Sequence, residues 1–134
     1  MMQIFRFLLL LLLSQPLLAA PDWQRLTPEL LAQAKAQNRL VLVDLSAEWC
    51  HFCAQMDRDT WPDPRVQATI ARHYLAARID DERQPALAEK YRHYGRPAFF
   101  VLDADGREIA RKRGYLDGQF MHWMLEGIAA EAGL

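Results

Sequence analysis

Two cysteines, Cys50 and Cys53, are the residues whose type and spacing most directly indicate chemistry in this sequence. They are its only cysteines, and they close the run VLVDLSAEWCHFC, in which an apolar strand pattern gives way to a helix. Unpaired backbone N–H groups and the helix dipole at such a junction stabilise a thiolate, so we expect Cys50 to be an exposed nucleophile. Cys53 follows one turn deeper on the same helix face, where it can attack a mixed disulfide formed at Cys50. The spacing therefore predicts an attacking thiol and a resolving thiol.

Asp44 is the second residue with a chemical implication, because it interrupts the otherwise apolar strand that leads to the cysteines. A buried carboxylate is costly to ionise, so we expect its pKa to rise toward the working pH. We interpret Asp44 as a proton acceptor beneath the two thiols. The alternative is a carboxylate that only satisfies neighbouring hydroxyls or amides, although acids are seldom buried without a role.

The elements that must position these residues alternate between helix and strand. The sequence predicts, in order, a helix over 28–38, a strand over 40–46, helices from Cys50 to Thr60 and after Asp63, a strand over 74–80, a helix over 85–95, two strands joined around ADG, and a final helix capped by Asp117. In that last helix we expect the apolar stripe to consist of Phe120, Trp123, Met124 and Ile128. This order predicts a single α/β domain with a mixed sheet.

Composition and charge limit the classes of partner. The chain has 134 residues, of which 51% are hydrophobic, which suffices for one compact core. Sixteen basic and seventeen acidic residues give a formal net charge of −1, and neither sign forms a long run. The charge pattern therefore offers no basis for binding nucleic acid or anionic lipid, and partners must be recognised by shape and chemistry.

Residues 1–20 have the pattern of a secretory signal peptide. Arg6 precedes an apolar block over 7–13, which is followed by Pro16 and the small residues Ala19 and Ala20. An uncleaved anchor is the alternative, but the block is shorter than the roughly 20 residues that span a bilayer. We expect export, cleavage, no stable membrane span in the mature chain, and one domain over residues 21–134. An exported chain is in an oxidising compartment, where disulfides can form.

The runs VDLSAEWCHFC and GRPAFFV, together with the order of elements, resemble the thioredoxin superfamily. The stretch AEWCHFCAQMDRDTWPDPRVQ is similar to the C-terminal periplasmic domain of the transmembrane thiol:disulfide interchange protein DsbD and its stand-alone relatives. The resemblance covers residues 25–131 and implies a thioredoxin-like fold, with a central mixed β-sheet flanked by helices. It implies that Cys50 attacks, that Cys53 resolves, and that Asp44 and Asp57 are the acids of the site.

We expect a set of residues around the thiols to contact the substrate: Trp49, His51, Phe52, Arg96 and Pro97. Pro97 matches the cis-proline that faces the cysteines, and Trp49 matches a residue that shields Cys50. From the residues alone, Pro97 starts a buried strand, where a cis bond would leave backbone groups free to pair with an extended substrate segment. A trans proline that simply opens the strand is the alternative. Arg96 stands where family members usually carry an uncharged residue.

The predicted function is that of an exported thiol:disulfide oxidoreductase acting on protein thiols and disulfides in the periplasm. We expect no cofactor beyond the redox-active Cys50–Cys53 pair, and a membrane electron donor of the DsbD type that makes the protein a reductase. One alternative is an oxidase of the same fold, which His51 beside the thiolate favours. Another is a zinc or copper(I) module, although structural zinc sites usually show a second closely spaced ligand pair that this sequence lacks.

Overall fold

The computed structural model describes residues 20–134, so the predicted signal peptide lies outside the described residues apart from Ala20. Within that range four strands form one sheet in the order β2-β1-β3-β4. The strands are β1 (Leu40–Leu45), β2 (Tyr74–Ile79), β3 (Ala98–Leu102) and β4 (Glu108–Arg113). β1 runs parallel to β2 and antiparallel to β3, and β3 and β4 form an antiparallel hairpin. The predicted mixed sheet is confirmed.

The helices flank this sheet and begin where the sequence predicted. They are α1 (Pro28–Gln37), α2 (His51–Asp59), α3 (Pro64–His73), α4 (Pro85–Lys90) and α5 (Gly118–Glu131). The side chains of Thr27, Asp63 and Asp117 each accept a backbone N–H at the start of the following helix, which is the capping that their sequence context indicated. No helix within residues 20–134 is long and apolar enough to cross a membrane.

The predicted single helix over 85–95 is wrong in its second half. α4 ends at Lys90, and a short 3₁₀ turn over Arg92–Tyr94 takes its place. The tighter turn allows Tyr91 and Tyr94 to pack together on Phe100, with ring centroids 4.8 and 5.5 Å from the phenylalanine ring. A tertiary contact with β3 thus overrides the helical pattern of the segment.

The apolar stripe predicted for α5 also requires correction. The buried residues of its core-facing side are Met121, Leu125 and Ala129, whereas Phe120 and Trp123 are 57% and 56% exposed. α5 is apolar around much of its circumference, so spacing alone did not identify the face that packs against α3. The residues four apart form the ridge that enters the core.

Alternation along β1 decides which side of the sheet each residue faces. Leu40 and Leu42 join the core cluster under α2, α3 and α5, whereas Val41, Val43 and Leu45 join the cluster under α1 and α4. Every residue of β1 is buried, as the apolar run predicted. Because side chains alternate, Asp44 shares its side of the sheet with Leu42 and therefore lies on the side that α2 covers.

Candidate active site

The two cysteines lie at the start of α2 and form a disulfide. Cys50 is the N-cap residue of the helix, and its Sγ accepts a hydrogen bond from the backbone N–H of Cys53 at 3.2 Å. Their Cα atoms are 5.2 Å apart. The predicted junction of strand and helix is confirmed, and a backbone N–H already points at the sulfur that is expected to carry the thiolate charge.

The expectation that Cys50 is exposed is wrong for the disulfide form. Cys50 is 5% exposed and Cys53 is 4% exposed, and both form a small buried cluster with Ala47. The loop between β1 and α2 covers the first cysteine, which the position of a residue at a helix start does not reveal. Only a small part of the disulfide therefore faces solvent.

Asp44 is buried, with 3% of its surface exposed, on the side of the sheet that α2 covers. Burial raises the pKa of Asp44 from its ordinary value of 3.8 to about 6, and the charge of Arg78 limits the rise. The Nε atom of Arg78 donates to Oδ2 of Asp44 at 2.8 Å. The predicted rise in pKa is borne out, but the partner is a guanidinium rather than the hydroxyls or amides that the alternative required.

Asp57 lies on α2, four residues after Cys53 and on the same helix face. Its carboxylate accepts two hydrogen bonds from Arg78, from Nη2 at 2.5 Å and from Nη1 at 3.3 Å. Asp57 also lines a cleft of about 360 Å³ together with Trp49, Ala54 and Arg78. Arg78 thus joins the two acids that the resemblance assigned to the site.

Arg78 is a residue of the candidate site that the sequence analysis did not single out. Its side chain is 14% exposed, and its guanidinium carbon lies 4.5 Å from the ring centroid of Trp23. A signal was present in the sequence, because Arg78 interrupts the apolar strand YLAARI as Asp44 interrupts its own strand. Two opposite charges in two buried strands are typical of an ion pair.

Exposed aromatic side chains surround the cysteines. Trp49 is 74% exposed and Phe52 is 54% exposed. His51, the first residue of α2, is also exposed. The ring of Phe52 lies 5.5 Å from the His51 ring and 6.3 Å from the ring of Tyr115, which sequence reasoning did not single out. Trp49 extends into solvent, so its bulk borders the site without being packed into it.

Pro97 is buried directly before β3, and the Arg96–Pro97 peptide bond is cis, as the resemblance implied. The guanidinium of Arg96 donates to the carbonyl oxygens of Gly95 at 2.9 Å and Ala88 at 3.3 Å. Burial lowers the pKa of Arg96. Arg96 therefore folds back onto the end of α4 rather than pointing into water, while it still borders a groove that it shares with Trp49.

Comparisons with known proteins identify the family of this chain. The family model described as a thioredoxin-like domain matches residues 27–129. The thiol:disulfide interchange protein DsbD of Yersinia pestis is 32% identical over 94 residues, which are 66% of this chain and 16% of that protein. The chain thus spans about 16% of the length of the curated relatives that it matches.

Solved structures show the same fold. A thioredoxin from Thermus thermophilus superposes with a TM-score of 0.71 at 27% identity, covering 85% of this chain and 91% of that one. The reduced C-terminal domain of DsbD from Neisseria meningitidis has a TM-score of 0.61 at 23% identity, covering 74% of this chain and 90% of that one. The fold and the CxxC pair define the class as a disulfide oxidoreductase. The match over residues 27–129 shows that the chain belongs to the thioredoxin-like family.

Proposed function

We propose that this protein is an exported thiol:disulfide oxidoreductase that reduces protein disulfides in the periplasm. The observation that carries the proposal is the position of Cys50 at the N-cap of α2, where its sulfur accepts the N–H of Cys53. A donor aimed at this sulfur stabilises a thiolate once the disulfide is reduced. The Cys50–Cys53 pair is the redox centre, and no other cofactor is required.

In the proposed reaction the Cys50 thiolate attacks one sulfur of a partner disulfide. A Cys50–partner bond forms, the partner disulfide breaks, and the displaced thiolate takes a proton from solvent. Cys53 then gives its proton to Asp44, and its sulfur attacks Sγ of Cys50. The intramolecular disulfide forms, and the second partner thiolate leaves and takes the proton back from Asp44. Two electrons pass from the dithiol to the partner disulfide.

The reducing direction is supported by the two acids of the site, Asp44 on β1 and Asp57 on α2. Negative charge at Asp44 and Asp57 opposes a thiolate at Cys50, whereas an oxidase stabilises that thiolate strongly. The similarity to DsbD leads us to propose a membrane electron donor of that type for this chain. The oxidase alternative has one feature in its favour, which is the exposed His51 next to Cys50.

A metal-binding role has less support than thiol chemistry. Within residues 20–134 no group of three or more His, Cys, Asp or Glu side chains is arranged to hold a metal ion.

The proposed function includes substrate contact by Trp49, His51, Phe52, Arg96 and Pro97. It also includes a signal peptide over residues 1–20 and a single domain over residues 21–134. Exposed aromatic rings beside the disulfide suit contact with a partner protein.

The experiment that tests the function is the redox state of Cys50 and Cys53 in cells, measured by alkylation with and without a candidate membrane donor. We expect the pair to be mostly reduced with the donor and oxidised without it. A pair that stays oxidised in both strains would indicate an oxidase. A Cys53→Ser variant should accumulate disulfide-linked partner proteins, and Cys50→Ser is the matched control that should not.

A further inference from the structure

Arg78 binds both carboxylates of the site at once. It lies on β2 directly across from Asp44 on β1, because the two residues are partners in the parallel register. Its Nε atom donates to Asp44 at 2.8 Å, and its Nη2 atom donates to Asp57 on α2 at 2.5 Å. One guanidinium therefore ties two strands of the sheet to the helix that carries the cysteines.

The guanidinium is held in place from a further direction. Trp23, which precedes α1, places its ring 4.5 Å from the guanidinium carbon of Arg78 and packs edge-on against Trp61 at 5.0 Å. A planar guanidinium matches both a carboxylate fork and an aromatic face, which an ammonium group cannot do equally well. Arg78 thus contacts an aromatic ring as well as the two carboxylates.

The charges that face Asp44 come from three other segments. Burial raises the pKa of Asp44, Arg78 on β2 lowers it, Asp57 on α2 raises it, and Arg96 before β3 lowers it. Burial lowers the pKa of Arg78, but Asp44 and Asp57 outweigh burial and raise it overall. Arg78 remains charged, so it stabilises the ionised form of Asp44 without exchanging a proton itself.

We propose that Arg78 is the positioning residue of the resolving step, holding the Asp44 carboxylate ionised and in place beneath α2 by binding Asp44 and Asp57 together. The inference rests on the proposed function, since it concerns the proton that Cys53 loses when its sulfur attacks Cys50. Asp44 accepts that proton while Arg78 keeps its two bonds to Asp57. Removing Arg78 leaves a buried carboxylate that is protonated at neutral pH and no longer serves as the acceptor.

The test follows both thiols in a single turnover over a range of pH. The reduced protein is mixed with one equivalent of an aromatic disulfide whose thiolate is coloured, so that attack by Cys50 releases the first thiolate and attack by Cys53 releases the second. This leaving group needs no proton, so the second rate reports the deprotonation of Cys53. We expect Arg78→Met to move the pH midpoint of the second release upward by roughly one to three pH units.

Three further variants make the result specific. Arg78→Lys keeps the charge but loses the planar fork of donors. Its pH midpoint should therefore lie between that of Arg78→Met and that of the unmodified protein. In an Asp44→Asn background, adding Arg78→Met should change the second rate by less than about twofold, because the two residues act together. This double variant also contains no orphaned carboxylate at position 44, so it remains folded if Arg78→Met alone does not. Arg72→Met is the matched control, since Arg72 pairs with Glu126 on the surface.

The outcomes separate this inference from the proposed function. If the unmodified protein gives both releases but Arg78→Met leaves the pH midpoint of the second release unchanged, the proposed role of Arg78 is contradicted. The proposed function is not contradicted by that result. An equal effect of Arg78→Met with and without Asp44 also contradicts it, because Arg78 would then act independently of that carboxylate. An unmodified protein that releases no coloured thiolate contradicts the thiol chemistry itself, and the inference with it.

Discussion

At the scale of single residues, the site combines two acids with one permanent cation where β1, β2 and α2 meet. Asp44 is nearly fully buried, while the side chain of Asp57 is 40% exposed, so the two acids have different access to solvent. Arg78 spans the distance between them. The buried acid has a pKa of about 6, which suits a group that must accept and return a proton near neutral pH.

The raised pKa of Asp44 predicts how the stability of the disulfide form depends on pH. The folded protein holds the proton of Asp44 more tightly than the unfolded chain, so the contribution of Asp44 to stability is greatest below pH 3.8 and is lost as the pH rises through about 6. The shift corresponds to about 3 kcal/mol at roughly 1.36 kcal/mol per pKa unit. We expect the free energy of unfolding of Asp44→Asn, relative to the unmodified protein, to increase by up to that amount between pH 4 and pH 7.

Urea unfolding of the oxidised protein at several pH values measures this difference, because the disulfide removes cysteine titration from the comparison. Asp103→Asn is a suitable control, since hydrogen bonds from Arg107 and Asp105 lower the pKa of that partly exposed carboxyl rather than raise it. A constant difference between the Asp44→Asn variant and the unmodified protein across this range would contradict the raised pKa.

At the scale of elements, α5 shows which residues of a largely apolar helix become its buried face. Met121, Leu125 and Ala129 enter the core against α3, and Tyr74 on β2 donates a hydrogen bond to the carbonyl of Leu125 at 2.6 Å. Phe120 and Trp123 pack against each other at 5.6 Å but remain more than half exposed. The ridge of residues four apart, rather than the largest apolar residues, anchors the helix.

A pair of substitutions in α5 tests this assignment. Met121→Ala removes a fully buried side chain and should lower the free energy of unfolding by about 2–5 kcal/mol. Trp123→Ala removes a larger but exposed side chain and should change it by less than about 1 kcal/mol. Denaturant unfolding of the oxidised variants measures both changes in the free energy of unfolding. A larger loss from Trp123→Ala than from Met121→Ala would show that the face was assigned wrongly.

At the scale of the whole molecule, the segment before α1 belongs to the domain although the family model begins at residue 27. Gln24 pairs with β2 through the backbone, donating to Ala76 at 3.0 Å and accepting from Arg78 at 3.0 Å. Trp23 packs on Trp61 and on the guanidinium of Arg78. These contacts connect the segment both to the core and to the candidate site.

We expect a chain that begins at Thr27 to be less stable than one that begins at Pro21 by at least about 1 kcal/mol, since the partly buried Trp23 packs on Trp61 and on Arg78. Trp23→Ala in the longer chain should account for most of the loss and isolates the ring from the strand pairing. Thermal and urea unfolding measure both. Equal stability of the two chains would mean that the stable domain begins at residue 27.

Local signals in the sequence were sufficient to predict the helix starts, the strands and the CxxC pair. Capping residues, β-branched runs and the spacing of Cys50 and Cys53 each act within a few residues, so they can be read without knowledge of the fold. Asp44 was recognisable for the same reason, because a charge inside an apolar strand is costly wherever that strand packs. The resemblance to the thioredoxin superfamily added Asp57 and the cis bond before Pro97.

The tertiary structure alone decided the features that depend on contacts between distant segments. The burial of Cys50, the buried face of α5 and the short turn at Tyr91 and Tyr94 each follow from packing against another element. The ion pair of Arg78 with Asp44 and Asp57 joins positions 34 and 21 residues apart in sequence. No periodicity records such a pairing, because it arises when the parallel register sets β1 beside β2 and α2 covers them both.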